Sequence, residues 1–285
     1  MTDATVRAHR GAKLGSVLLW APFVVIALFI GVPLYWLIVS SLKPTSDLGD
    51  PSPIPKTLTI ENYVVALGQT DIPRWLLNTS IIAVATTALG LLICSMAAYA
   101  FARYRFRGRT VIFAVILASL ALPEYVTVLP SFVIMRQLGL LNTFLAVILP
   151  LAAHALPVFL LRQYISQLPE EMFDASRVDG ASAWRTYAGL TLPLIRPGLA
   201  ASGLIIFLAS WNSYLLPLVM LRDPGLFTMP IGLAFIHSQL AAGAPAYDPW
   251  AALTAGTVIS ALPLVLCLLV MQRQFISGLT QGAVR

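Results

Sequence analysis

Apolar runs long enough to cross a bilayer alternate along this chain with shorter polar stretches. A helix crossing a hydrocarbon core of roughly 30 Å needs about 20 mostly apolar residues. Six runs meet that length, near 14–41, 78–102, 110–135, 143–165, 199–222 and 251–271. The pattern predicts an all-α integral membrane protein of six transmembrane helices. A tail over 1–13 precedes a transmembrane domain over 14–285. Pro123 and Pro157 fall inside the third and fourth runs, where they can open the local helix backbone, although kinks are the ordinary expectation. Pro230–Leu240 reads as a short surface helix in the polar stretch before the last run.

Composition agrees with the pattern. Hydrophobic residues make up 58% of the 285 and charged residues 11%, against about 45–50% and about 25% in soluble domains. A solvated globular domain and a disordered chain are both excluded. The net charge of +6 gains meaning only from its distribution. With the N-terminus inside, the inner segments hold Arg7, Arg10, Lys13, Arg103, Arg105, Arg107, Arg109, Arg162, Arg177, Arg185, Arg196, Arg273 and Arg285. The outer segments hold Lys43, Lys56, Arg74, Arg136 and Arg222. That asymmetry places both termini in the cytoplasm. The basic balance is thus topology, and nucleic acid is not an expected partner. The first run is too long for a cleaved signal peptide and reads as an uncleaved anchor. Cys94 and Cys267 lie inside predicted spans and read as small apolar core residues.

Several chemistries lack their residues. No phosphate-binding Gly-x-x-x-x-Gly-Lys-Ser/Thr occurs, because none of Lys13, Lys43 and Lys56 follows a glycine. His9, His154 and His237 are too scattered for a zinc cluster. Gly180-Ala181-Ser182 approaches a nucleophile elbow but has no nearby histidine. No cofactor, metal or catalytic residue is expected, and transport, sensing or scaffolding remain.

The stretch over 166–197 is the most patterned polar segment. Pro169 suits a first helical turn, and Glu170 and Glu171 suit the positive helix N-terminus. Met172, Ala175 and Val178 recur along roughly one face, and Asp174 can pair with Arg177 three residues on. Gly180 can end the helix with positive φ. Ser182 can cap a second short helix to about Leu190, before Pro193 and Pro197. Small residues at Ala175, Ser176 and Gly180 would admit a partner surface. An amphipathic helix lying on lipid is the alternative, although its acidic residues fit an anionic leaflet poorly.

Asp174-Ala175-Ser176, three residues, Gly180, nine residues, then Leu190-Thr191-Leu192-Pro193 resembles the EAA loop of permeases of ATP-binding cassette (ABC) importers. Asp stands for the usual Glu, Ser for Ala and Leu for Ile. Ser41-Leu42-Lys43-Pro44, Ala98-Tyr99-Ala100-Phe101-Ala102-Arg103, Trp211-Asn212 and the ending over Gln274–Val284 are similar to the maltose-permease (MalG-type) family of binding-protein-dependent carbohydrate importers. The resemblance implies a cytoplasmic coupling helix between the fourth and fifth spans. Glu171, Asp174, Ala175, Ser176, Asp179, Gly180, Leu192 and Pro193 would face the ATPase. It also implies two ABC ATPase copies, a second homologous permease and an extracytoplasmic solute-binding protein, which the outer segments would meet. The setting is a bacterial inner membrane, the lipid around the spans, and a sugar, di- or oligosaccharide, as cargo.

Polar groups within the runs are candidate pathway residues, because a mid-bilayer charge must face protein or water. These are Glu124 and Tyr125 in the third run, His154 in the fourth, and Asn212 and Tyr214 in the fifth. Carboxylate, amide and aromatic groups at a transporter midplane suit sugars. Structural roles remain open for each: a Glu124–His154 pair, an interhelical bond from His154, helix glue at Asn212, and core aromatics. Two other transport readings also remain. One is a permease for glycerol-phosphate-type esters. The other is a proton-coupled secondary transporter with Glu124 and His154 as relay.

Overall fold

The computed structural model describes residues 3–50, 52–242 and 247–281, and the side chains of these except 3–19, 241, 242, 268 and 271–281. The side chains of Arg7, Arg10, Lys13 and Arg273, those of the Gln274–Val284 motif, and Arg285 lie outside the described residues.

The described backbone is helical, in the order α1 (Asp3–Ser41), α2 (Glu61–Gly68), α3 (Ile72–Arg103), α4 (Arg109–Ala118), α5 (Glu124–Gln137), α6 (Leu145–Leu151) and α7 (Ala155–Ser166). There follow α8 (Glu170–Val178), α9 (Ala183–Arg185), a π-helical stretch over Thr186–Thr191, α10 (Leu192–Leu194), α11 (Arg196–Trp211), α12 (Leu215–Met220), α13 (Met229–Ala242) and α14 (Pro249–Gln281). Three helices are long and apolar enough to cross a membrane, over Trp20–Ser41, Ile72–Arg103 and Pro249–Cys267. Three bent pairs pass the same test together. Arg109–Ala121 meets α5 at 112°, α6 meets α7 at 47°, and Ala183–Leu194 meets α11 at 83°.

Proline chemistry explains where the runs break. A proline cannot donate to the carbonyl four residues back, and its ring crowds that carbonyl. Pro123, Pro157 and Pro217 therefore act on Ser119, Ala153 and Ser213. The helices lapse there: a 3₁₀ turn over Ser119–Ala121, and non-helical backbone over 152–154 and 212–214. Pro157 and Pro217 then sit in the first turns of α7 and α12, where a missing N–H leaves no bond unmade. The sequence reading of Pro123 and Pro157 as kinks is corrected to full interruptions. The segment over 71–77, expected as outer loop, is mostly helix, since α3 starts at Ile72 with Pro73 in its first turn. Helix α13 covers the expected Pro230–Leu240 helix, and α2 was not expected.

The chain divides into two compact units. In the first, Met1–Thr70 with Gln239–Ile259, a polar clasp fixes the segment after α1. The Lys43 side chain is 3% exposed. Its Nζ donates to the carbonyls of Ser52 at 2.8 Å and Asp50 at 3.2 Å. Asn62 Nδ2 donates back to Ser41 and Lys43 carbonyls at 2.9 and 2.8 Å. On the outer side of the clasp, Lys56 pairs with the Asp50 carboxylate at 2.9 Å and holds it below the usual carboxylate range.

In the second unit, Asp71–Ser238 with Ser260–Arg285, α3 is the axis and packs along α7 and α11. A Cβ at Gly90 would lie 3.0 Å from the Ala152 carbonyl oxygen and 3.1 Å from Ile206, so this glycine admits both the α6–α7 break and α11. Ile82, Val147 and Met220 mark one apolar cluster, and Cys94, Leu161, Phe173 and Ile195 another. The N-terminal turns of α3 hold the segment before α13. Trp75 Nε1 donates to Pro224, Asn78 Nδ2 to Gly225 and Phe227, and the Met229 amide donates to Thr79 Oγ1 at 2.7 Å.

Candidate functional site

The patterned segment forms a helix, a glycine turn and a second, irregular helix. Pro169 caps α8, and Glu170 and Glu171 occupy its first turn. Asp174 and Arg177 form an exposed ion pair at 2.6 Å, worth a few tenths of a kcal/mol at most. Asp179 is the C-cap, and Gly180 follows with φ +70°. The Gly180 amide donates to Arg177 and the Ala181 amide to Ser176, both at 3.0 Å, which is the paired bonding of a Schellman turn. A Cβ at Gly180 would meet nothing within 4 Å, so the backbone conformation alone calls for glycine. The second helix starts at Ser182, whose Oγ accepts from the Arg185 amide at 3.3 Å. It runs past the expected end near Leu190 to Leu194. Pro193, which cannot donate to Gly189, follows directly on the π-helical stretch.

The Met172–Ala175–Val178 line is not the buried face of α8. Met172 is half-buried, whereas Ala175 and Val178 are exposed, Val178 by 88%. Phe173 is the buried residue of α8. Ser176 turns inward beside it, its Oγ 2.8 Å from Thr186 Oγ1. The burial stripe follows the largest apolar side chain, one residue round from the Met172–Ala175–Val178 line. Glu171, Asp174, Ala175, Asp179, Gly180 and Pro193 are exposed, and Leu192 is half-buried.

Contacts unannounced by any motif tie this segment to the long helices. Arg103, the last residue of α3, donates to the carbonyls of Ile165 and Leu168 at 2.8 and 2.9 Å. It thereby caps the C-terminus of α7, where positive charge and donors are favourable. The same guanidinium covers the Phe173 ring. From the π-helical stretch, the buried Tyr187 hydroxyl lies 2.7 Å from Ser95 Oγ of α3. A Cβ at Gly198 would lie 2.7 Å from the Tyr164 ring, so α11 starts in close contact with α7. The signal available in sequence was Phe173 itself, the one aromatic of the short helix.

The five candidate pathway residues lie at or next to helix interruptions. Glu124 is the first residue of α5 and is exposed, as is Tyr125. His154 is the N-cap of α7 and half-buried. Asn212 is the C-cap of α11, its Nδ2 donating to Leu208 at 2.8 Å, and Tyr214 is the N-cap of α12. No hydrogen bond or ion pair among the described residues joins these five to one another, and Glu124 and His154 form no pair. Ala152-Ala153-His154-Ala155-Leu156-Pro157 and Asn212-Ser213-Tyr214-Leu215-Leu216-Pro217 make the same kind of break. In each, an aromatic caps a half-helix whose third residue is proline. Cys94, read from sequence as a small apolar core residue, aims its thiol at the carbonyls of His154 and Ala152, at 3.5 and 3.9 Å. His154 Nε2 and Ser213 Oγ are buried with no hydrogen-bond partner among the described residues. Trp211 is 2% exposed and donates to the Ser260 carbonyl of α14 at 3.1 Å, an anchor for α11.

Residues 90–281 match the family described as binding-protein-dependent transport system inner membrane component. The chain is 38% identical over 279 residues, 95% of its length and 96% of the relative's, to AraQ of Halalkalibacterium halodurans, an arabinooligosaccharides transport system permease protein. It is 35% identical over 284 residues, 97% and 99% of the two chains, to MalG of Thermococcus litoralis, a trehalose/maltose transport system permease protein. A crystal structure of a bacterial ABC transporter involved in the import of the acidic polysaccharide alginate contains a chain with the same fold. Its TM-score is 0.79 at 23% identity, over 94% of this chain and 98% of that one.

Proposed function

The chain belongs to the family of binding-protein-dependent transport system inner membrane components, and on that premise we propose how it serves as the permease subunit of a carbohydrate ABC importer. It is a multi-pass protein of the bacterial inner membrane. In our reading α1, α3, the α4–α5 pair, the α6–α7 pair, α11 with α12, and α14 are six spans. Both termini and the α8–α10 segment then lie in the cytoplasm.

The chain carries no nucleotide site of its own in this reading. Of two ABC ATPase copies in the complex, one docks against Glu171, Asp174, Ala175, Asp179, Gly180 and Pro193. Ser176 and Leu192 brace that surface from within. A second homologous permease completes the pathway, and an extracytoplasmic solute-binding protein delivers the cargo. The observation that carries the coupling role is the Arg103 clamp. It joins α8 to the ends of both α3 and α7, so displacement of α8 is transmitted to two spans together. Closure of the ATPases would then rock the spans between inward-open and outward-open states.

Glu124, Tyr125, His154, Asn212 and Tyr214 line the route in this reading. Their support is chemical. Helix interruptions place unpaired backbone groups and polar side chains within an apolar setting, as transporter sites require. The unused hydrogen-bond capacity of His154 Nε2 and Ser213 Oγ suits sugar hydroxyls, and Tyr125 and Tyr214 suit the C–H faces of the ring. Relatives named for arabinooligosaccharides and for trehalose/maltose favour a neutral di- or oligosaccharide.

Replacing 170–180 by a flexible linker in the reconstituted complex tests the coupling. Uptake should collapse while the protein still reaches the membrane. Persistent uptake driven by a proton gradient would instead establish the secondary-transporter reading. Substrate-stimulated ATP hydrolysis, screened over sugars with the binding protein present, identifies the cargo.

A further inference from the structure

The turn between α3 and α4 gathers basic charge that forms no ion pair among the described residues. It reads Arg103-Tyr104-Arg105-Phe106-Arg107-Gly108-Arg109. Among the described residues the ion pairs are Lys56–Asp50 and Arg177–Asp174, so none of these four arginines has a carboxylate within 4 Å. Arg103 is engaged by the carbonyls of α7. Arg105 and Arg107 are exposed, and Arg109 is half-buried. Gly108 takes φ +83° and folds the turn back into α4.

A fifth arginine reaches the same end of α4. Arg162 of α7 lies with its guanidinium 4.1 Å from the centroid of the Phe113 ring, one helical turn from Arg109. Its Nε is buried with no hydrogen-bond partner. Stacking on the ring fixes the guanidinium plane and leaves its outer N–H groups available. Phe106 folds toward Phe101 at 5.8 Å, and Phe101 toward Phe113 at 5.4 Å. An aromatic row thus runs from the arginine turn to the ring beneath Arg162.

The surroundings specify the ligand class. Tyr104 and Phe106 are 44% and 41% exposed, and just beyond them along α4, Val111, Ile112 and Val115 are exposed by 67%, 48% and 64%. Guanidinium groups and exposed aromatics interleave over 103–109, and a bare apolar helix face follows directly along α4. That order matches headgroup, interface and acyl chain of one leaflet. An acidic protein surface would match the arginines but leave the adjoining apolar face without a counterpart.

We propose that Arg105, Arg107, Arg109 and Arg162 form a binding site for the phosphate of an anionic phospholipid, whose acyl chains lie along the Val111–Val115 face of α4. Bidentate N–H pairs from guanidinium to phosphate oxygens are strong and directional. The bound lipid would join α4 to α7 where the chain has no ion pair of its own. The inference uses only the membrane setting and stands whatever the cargo.

The test uses the complete transporter, delipidated and re-equilibrated in mixtures of phosphatidylglycerol and phosphatidylcholine, with retained lipid counted by native mass spectrometry. The wild-type complex should retain phosphatidylglycerol selectively. Each arginine-to-glutamine change at 105, 107 or 109 should weaken retention about fivefold. Retention unchanged in all three single variants and in the triple variant overturns the proposal. Displacement of the lipid by inorganic phosphate at equal concentration also overturns it, in favour of a soluble-anion site. So does release of the ATPase subunits from the variants with lipid retention unaltered, since the arginines then serve a protein contact. If the triple variant fails to accumulate, the three single variants decide by the same criterion.

Discussion

The Arg103 guanidinium carbon lies 3.5 Å from the centroid of the Phe173 ring, the last residue of a long helix resting on the one buried side chain of a short one. A cation held over a desolvated ring contributes on the order of 2 kcal/mol, and Phe173 is 3% exposed. The contact is therefore a mechanical joint between α8 and the α3–α7 pair.

Phe173→Ala should cut that joint. Removing a buried phenyl costs about 3–5 kcal/mol, here concentrated on a nine-residue helix. The expected outcome is a complex that hydrolyses ATP with fewer sugars imported per ATP. Phe173→Leu should lie between the two. The ratio of uptake to hydrolysis in proteoliposomes measures it, and an unchanged ratio in Phe173→Ala would remove the joint from the mechanism.

Gly180 has empty space around its Cβ position, so substitutions there separate conformation from volume. Gly180→Val should strain the left-handed turn by about 1–2 kcal/mol and loosen the end of α8. Gly180→Asn should be far milder, because Asn visits that region. ATPase co-purification should follow the order Gly, Asn, Val. Equal loss in both variants would point to side-chain bulk against the partner as the cause.

Ser213→Ala removes a buried hydroxyl that has no hydrogen-bond partner among the described residues. Deleting an unsatisfied polar atom should leave thermal stability unchanged or raise it. If the hydroxyl serves the cargo, KM for uptake rises about fivefold, the worth of one hydrogen bond of about 1 kcal/mol. Stability and KM measured on the same preparation separate a pathway role from a structural one. A fall in stability with KM unchanged assigns Ser213 to packing.

Pro157→Ala and Pro217→Ala each restore an amide that can donate to Ala153 or Ser213. Hydrogen exchange at residues 157 and 217 should show newly protected amides. Uptake should fall if the interruptions are needed for transport. Full uptake with protected amides would show that the breaks are dispensable.

What the sequence announces here is local chemistry, and what it hides is partnership. The six apolar runs and the spacing from Asp174 through Gly180 to Pro193 are legible because each depends on composition or on one residue's backbone preference. Among the prolines the reading stops short. Pro130, Pro150 and Pro263 lie inside helices that continue, whereas Pro157 accompanies a full break. At the Pro157 break the carbonyls of Ala152 and His154 lie against Gly90 and Cys94 on a helix about sixty residues earlier, a match that no local pattern reveals. Which face of α8 turns inward is hidden for a similar reason. Periodicity finds a stripe, but Arg103 and Thr186 decide which stripe turns inward.

The interruptions at Ser119, Ala153 and Ser213 follow from a missing N–H, an atom absent from the covalent chain in every state the protein visits. No rearrangement of side chains or neighbours can supply it. Straightening the α6–α7 or α11–α12 element would still leave the Ala153 or Ser213 carbonyl without that donor, a cost that favours motion between pre-bent pieces, travelling as angle brackets, over pieces that straighten as springs.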